Sequence, residues 1–185
     1  PEKFIGPVYQ PEEQEALEAA YGWQMKRDGK YLRRVVASPQ PRKILDSEAI
    51  ELLLKEGHVV ICSGGGGVPV TEDGAGSEAV IDKDLSTALL AREIRADVLV
   101  ITTGAEKVCV NFGKPNQQAL DAVNVAQMAR YMEEGHFPAG SMLPKIVASL
   151  EFLHHGGKRV IITSPDCLPA ALRGETGTHI VNEGR

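Results

Sequence analysis

Apolar positions recur along this chain with two alternating periods. After Asp46, residues Ile50, Leu53 and Leu54 share one helical face that ends at Gly57. His58–Cys62 then reads as an apolar run of buried-strand length. Asp82 can cap a helix through Ile94 with Leu85, Ala88 and Leu89 inward, followed by strands over Asp97–Thr102 and Val108–Val110. Val125, Met128, Ala129 and Met132 sit at i, i+3, i+4 and i+7 and predict another helix. One more starts near Ser141, tolerates Pro144 in its first turn and turns Ile146, Leu150 and Leu153 inward. Arg159–Thr163 reads as a strand, residues 166–173 as a short helix and His179–Val181 as a last strand. Helices alternating with short Val/Ile-rich strands predict an α/β fold, with helices on both faces of a mainly parallel sheet.

The first 43 residues have a different character. Residues 10–22 predict a short helix, with Pro11 at its first position, acids in its first turn and Gly22 after its last apolar residue. Residues 23–43 are polar and basic, with a strand over Arg34–Ala37 and the stiff connector Ser38-Pro39-Gln40-Pro41. We therefore expect a protruding subdomain over 1–43 and an αβα core over 44–185. Ala79–Ile81 is a further short strand candidate.

Composition narrows the function classes. The chain has 185 residues, 43% of them hydrophobic, enough to bury a core. With 20 Lys and Arg against 25 Asp and Glu, the formal charge is −5, which argues against a nucleic-acid partner bound by phosphate neutralisation. The three cysteines are odd in number, and Cys62 and Cys109 lie in or beside apolar runs, as expected of free thiols in a reducing compartment. No apolar run approaches the roughly 20 residues of a membrane span, and no signal peptide is visible, so a cytoplasmic protein without a membrane partner is expected. The opening on Pro1 rather than Met is what a processed or truncated chain would show.

Five stretches could carry chemistry. Gly64, Gly65, Gly66 and Gly67 follow an apolar run and form either a tight strand exit or a loop whose N–H groups face an anion. No Gly-Lys-Ser/Thr follows, so this is not a Walker A loop. Gly74-Ala75-Gly76-Ser77-Glu78-Ala79 matches G-x-G-x-x-A but follows polar residues, and reads as a turn. Ile81-Asp82-Lys83-Asp84 stands at a strand-to-helix junction, where a helix N-terminus favours an anion. It is either a capped helix with surface charges or an anion site. Asn111, Phe112, Gly113 and Lys114 after a strand would suit a base and its phosphates, or form an ordinary loop. Lys145 lies in the first turn of the helix that begins near Ser141, where a cation opposes the helix dipole unless an anion is near. No His, Cys, Asp or Glu pattern predicts a protein-held metal.

Read together, KFIGPVY (Lys3–Tyr9), RRVVASPQP (Arg33–Pro41), SGGGGVPV (Ser63–Val70), AVIDKDL (Ala79–Leu85), NFGKPNQ (Asn111–Gln117), EGHFPAGSMLPK (Glu134–Lys145) and GETGTHIV (Gly174–Val181) resemble the carbamate kinase family of the amino-acid kinase superfamily. The resemblance implies a three-layer αβα sandwich, usually a homodimer, lacking the family's N-terminal portion. It implies a phosphotransferase of arginine metabolism that takes ATP or ADP, carbamate or carbamoyl phosphate, and Mg²⁺ with the nucleotide. It places Lys3, Lys83 and Lys145 around the transferred phosphoryl group and gives Asp84 the orienting of lysines. Gly64–Gly67 would lie at the carbamate end. Asn111–Lys114, Met142 and Pro144 would border the nucleotide, and residues from about 9 to 41 would form a lid. The family chain is much longer at its N-terminus, and Pro138-Ala139 stands where it usually has Ala-Pro.

Overall fold

Nine strands and six α-helices form in a computed structural model that describes residues 3–182. They fall into two compact units. The first comprises the chain up to Gln40 together with Ser63–Lys83, and the second comprises Pro41–Cys62 and the chain from Asp84 onward. Ser63–Lys83 thus joins the N-terminal segment that the sequence set apart.

In the first unit, β1 (Lys3–Tyr9), β2 (Gln24–Asp28) and β3 (Tyr31–Val36) form an antiparallel sheet in the order β1-β3-β2. The register between β1 and β3 slips between Ile5 and Val8. Gly6 and Pro7 occupy that irregularity, where a left-handed φ and a missing N–H cost the ladder nothing. Arg33 Nε donates to the Gly6 carbonyl at 2.9 Å. Gly29, with φ of 63°, takes the first of the two turn positions between Asp28 and Tyr31. The expected short helix is present as a 3-10 turn over Pro11–Glu13 and α1 (Gln14–Tyr21). Gln10 and Glu13 cap its start reciprocally, and Gly22 ends it in the left-handed conformation. The Gly74–Gly76 stretch is a turn, closed by the Thr71 and Gly74 N–H groups on Ala75 and Thr71 carbonyls.

The second unit holds the main core. Its sheet runs β4 (Val98–Thr102), β8 (Arg159–Thr163), β9 (Thr178–Val181) and β7 (Ala122–Asn124). The outer pairs, β4 with β8 and β7 with β9, are parallel, and β8 meets β9 antiparallel. The expected mainly parallel sheet is therefore mixed at its centre. Val160, Ile161, Ile162 and Thr163 are all fully buried, so both faces of β8 are covered. The helices α3 (Lys83–Glu93), α4 (Val125–Glu133), α5 (Met142–His154) and α6 (Leu168–Leu172) form where the apolar spacing places them. Met128 of α4 and Ile146, Leu150 and Leu153 of α5 share one core with Leu99, Ile101, Val160 and Ile180. Asn124 caps α4, accepting from Gln127 N at 2.7 Å while the Gln127 side chain accepts from Asn124 N at 3.0 Å. The short strands β5 (Cys109–Val110) and β6 (Gln118–Ala119) pair as a hairpin.

Two strand expectations fail. His58–Cys62 forms no strand, and Val59 and Ile61 are 94% and 97% exposed. Helix α2 (Ser47–Lys55) precedes it as expected, but of its apolar face only Ile50 is buried, while Leu53 and Leu54 are exposed. The run has the composition of an interior strand, but among the described residues no neighbouring strand pairs with it. Ala79–Ile81 contributes only a parallel bridge between Ala79 and Ala37, with Val80 N donating to the Ala37 carbonyl at 3.0 Å. The cysteines are free and half-buried.

Candidate functional site

The two units each hold part of the predicted residue set. In the first, Lys3 lies opposite Val36 at the start of β1, and Ala37, one residue on, bridges Ala79. That register carries the segment after Ala79 past the start of β1. Lys3 Nζ consequently donates to Asp82 Oδ2 at 2.7 Å. Asp82 is the partner that the sequence did not single out, although it stands beside Lys83. A lysine at the first residue of a strand has too many rotamers for sequence alone to name its acceptor.

The glycine loop lies in the same unit. The Ser63 carbonyl accepts from Gly66 N at 2.8 Å and Gly67 N at 2.6 Å. Those two N–H groups, which the sequence offered to an anion, are thus turned inward. Gly66 has φ of 132°, and a Cβ there would overlap the carbonyl oxygen of Ile81. The loop therefore packs backbone to backbone against the residue preceding Asp82, a fit that only glycine permits. Lys83 follows as the exposed first residue of α3.

In the second unit, Asp84 is 7% and Lys145 8% exposed. Lys145 Nζ donates to both carboxylate oxygens of Asp84, at 3.0 and 3.2 Å. This carboxylate is the anion that offsets a cation in the first turn of α5. Ser149 Oγ donates to the Lys145 carbonyl at 2.6 Å and helps fix the turn. Asp84 thus holds Lys145, while Lys3 is held by Asp82.

The Asn111–Lys114 loop is built on the β5–β6 hairpin. Asn111 has φ of 53° and Gly113 of 76°, which reverses the chain tightly. Gly113 N donates to Gln117 Oε1 at 2.8 Å, and Lys114 N to the Asn111 carbonyl at 3.0 Å. Phe112 stands 69% exposed at the tip, an aromatic face open to a planar ligand. His136 Nδ1 accepts from Asn111 N at 3.4 Å, and its other ring nitrogen lies 3.1 Å from Glu134 Oε2. His136 is thus a support of this loop that sequence spacing could not assign, since 25 residues separate it from Asn111. Met142 and Pro144 are half-buried in the first turn of α5. Among the described residues no three His, Cys, Asp or Glu side chains converge as metal ligands. Among them, too, no helix is long and apolar enough to cross a membrane.

The model of the amino acid kinase family matches residues 14–164. This chain belongs to the amino acid kinase family. The carbamate kinase of Escherichia coli O157:H7 is 66% identical over 97% of this chain and 59% of its own length. The carbamate kinase-like protein YahI of Escherichia coli K12 is 62% identical over 98% of this chain and 59% of its own length. The solved structure of carbamate kinase from Giardia lamblia bound to AMP-PNP superposes with a TM-score of 0.88 at 36% identity, covering 98% of this chain and 59% of that one. The fold is therefore the α/β fold of carbamate kinases in this family. The chain spans about three fifths of the length of the curated relatives it matches.

Proposed function

We propose that this amino acid kinase chain serves a carbamate kinase-type phosphotransfer, ATP + carbamate ⇌ ADP + carbamoyl phosphate, with carbamate formed from ammonia and bicarbonate. The observation that carries the reading is the buried Asp84–Lys145 pair, an ammonium fixed in the first turn of a helix within a sequence 66% identical to a carbamate kinase. Phosphoryl transfer depends on positioning and on neutralising charge. A carbamate oxygen forms the new bond to the γ-phosphorus as the bond to the β–γ bridging oxygen breaks, and ADP departs. Carbamate is already an anion, so its oxygen has no proton to lose, and no general base is required. In this reading Lys83 and Lys145 neutralise the phosphoryl oxygens, Lys3 serves the carbamoyl phosphate, and Asp84 and Asp82 hold Lys145 and Lys3. Gly64–Gly67 shape the small-substrate pocket. Asn111–Lys114, Met142 and Pro144 border the nucleotide; that a nucleotide is bound is supported by the AMP-PNP in the structure of the Giardia enzyme. Mg²⁺ would come with the nucleotide phosphates, where it screens their charge. A homodimer in the cytoplasm, working in arginine metabolism, completes the reading.

A coupled assay of ATP formation from carbamoyl phosphate and ADP tests it. Lys83→Ala and Lys145→Ala should each lower turnover by about 10²-fold or more, if each cation supplies about 3 kcal/mol to the transition state. Near wild-type rates in both variants end the assignment. A second reading is a nucleotide-binding remnant that works through a partner, which the bare run at Val59–Ile61 favours. Calorimetric binding of ADP without turnover supports it.

A further inference from the structure

The end of α4 fixes the position of one imidazole. Gly135 N donates to the Met132 carbonyl at 3.0 Å and His136 N to the Tyr131 carbonyl at 3.2 Å, around a left-handed Gly135 with φ of 76°. This paired closure ties the backbone of His136 to the last turn of the helix. The His136 and Tyr131 rings meet edge to face, 5.7 Å between centroids, and the His136 side chain is 18% exposed. Met128 of the same helix is fully buried in the core, so the ring stands on a rigid element. It points to Asn111, whose left-handed φ of 53° starts the reversal toward Phe112 and Gly113. A residue with a side chain keeps such a backbone conformation when its surroundings hold it there.

The partners of the ring determine where its proton sits. A backbone N–H only donates, so the contact of Asn111 N with Nδ1 at 3.4 Å requires a bare Nδ1. The ring proton is then on Nε2, which faces Glu134 Oε2 at 3.1 Å, an oxygen that accepts. His136 is therefore neutral when it holds Asn111. Among the described residues, the other charged or titratable groups about the ring are Tyr131 and Arg130. Arg130 Nε lies 3.7 Å from Glu134 Oε1, and its guanidinium stands 5.4 Å from the Tyr131 ring centre. From the loop side the ring meets the uncharged Asn111 N–H. A second ring proton would leave the Glu134 contact intact and set two donors, Nδ1–H and Asn111 N–H, against each other.

We propose that His136 is a positioning residue for the nucleotide: its neutral ring holds Asn111, and with it Phe112, in the conformation that receives ADP or ATP, and protonation of the ring releases that hold. The inference rests on the nucleotide role proposed for Asn111–Lys114. It adds a pH-dependence that Asn111, Phe112 and Gly113 cannot supply, since none of them has a titratable side chain. Histidine is the side chain that changes charge between about pH 5 and 8. The neutral form is the one that accepts from Asn111, so nucleotide affinity falls as pH falls through that range.

The test is calorimetric titration of the 185-residue protein with ADP at about pH 8 and about pH 5.5. His136→Asn keeps an acceptor where Nδ1 stands and cannot take up a proton, and at the higher pH it should bind ADP within about threefold of the parent. His136→Leu should bind about fivefold or more weakly, the usual scale of one lost hydrogen bond. At the lower pH the parent should lose about fivefold in affinity relative to His136→Asn, whose own change records the protonation of ADP itself. Without nucleotide, exchange of the Asn111 amide, corrected for its intrinsic rate, should quicken in His136→Leu and in the parent at low pH, while β8 stays protected. If His136→Leu loses β8 protection, the parent and His136→Asn alone decide. Nitrogen NMR should find the ring proton on Nε2 at the higher pH. A proton on Nδ1 there, parallel affinity changes in the parent and His136→Asn, or tighter binding by the parent at low pH relative to His136→Asn overturns the inference. Asn111 exchange that responds to His136 while ADP affinity does not overturns it too and leaves the nucleotide reading standing. No ADP binding by the parent at either pH removes the nucleotide reading and this inference together.

Discussion

Breaking the Asp84–Lys145 pair from either side should cost far more than removing both charges together. The two side chains are 7% and 8% exposed and joined by contacts of 3.0 and 3.2 Å. Asp84→Ala leaves a buried ammonium in the first turn of α5 with the dipole against it. Lys145→Met leaves a buried carboxylate. A buried charge that loses its opposite charge costs about 3–5 kcal/mol. The double variant Asp84→Asn/Lys145→Met leaves no buried charge and replaces the lysine stem with a side chain of similar volume. It should therefore lie within about 1 kcal/mol of the parent or slightly above it. Equilibrium unfolding in urea reads these differences. With a slope of about 2 kcal/mol per molar, a loss of 4 kcal/mol moves the midpoint by about 2 M. The double variant should recover the midpoint, since no buried charge is left without its opposite, and under the proposed function its turnover should stay lower by about 10²-fold or more. Single variants that each lose under about 1 kcal/mol, or a double variant no more stable than the singles, would refute the reasoning. Coincident transitions by fluorescence and circular dichroism establish that one midpoint describes the unfolding.

Three further outcomes follow from the geometry. Thr178 is fully buried, and its hydroxyl accepts from Val108 N at 2.9 Å and donates to the Leu120 carbonyl at 2.5 Å. Thr178→Val should cost about 2–4 kcal/mol in urea unfolding, because two backbone groups lose their partner. Gly66→Ala forces a methyl onto the Ile81 carbonyl at an unfavourable φ. It should speed hydrogen exchange across Ser63–Lys83 by at least about tenfold while leaving β8 protection unchanged. Glu51 is held below the ordinary glutamate range by hydrogen bonds from Arg95 and then Lys55. A folded-state value below the unfolded one gives stability that is present above about pH 4.3 and lost as pH falls through the folded value. Glu51→Gln should therefore be less stable than the parent at pH 7, and the difference should shrink as pH falls through the acid range, as urea midpoints measured across that range can check.

Much of the second unit was legible in the sequence. Met128, Ile146, Leu150 and Leu153 fall where a period near 3.6 puts them, and β8 spans the same residues as the Val/Ile run. Helix spacing and buried parallel strands are local signals, since each side chain's direction follows from its own neighbours in the chain. The first unit was harder to read. β2 (Gln-Met-Lys-Arg-Asp) carries almost no apolar alternation, and its pairing with β3 rests on the Gly29 turn and backbone bonds. Lys3, Lys83, Lys145 and Asp84 were legible as candidates through family resemblance. Which aspartate holds which lysine was not.

By itself the sequence determined the family, the order of the helices, the main core and the residue types that can meet a phosphoryl group. These depend on short-range periodicity and on contiguous motifs. Tertiary structure alone decided that Lys3 takes Asp82, that Lys145 takes Asp84 across 61 residues, that His136 supports Asn111, and that Val59 and Ile61 lie bare. Each of those facts depends on what stands beside a side chain in space. A strand-like composition states which neighbours a segment needs, and only the folded chain shows whether it has them.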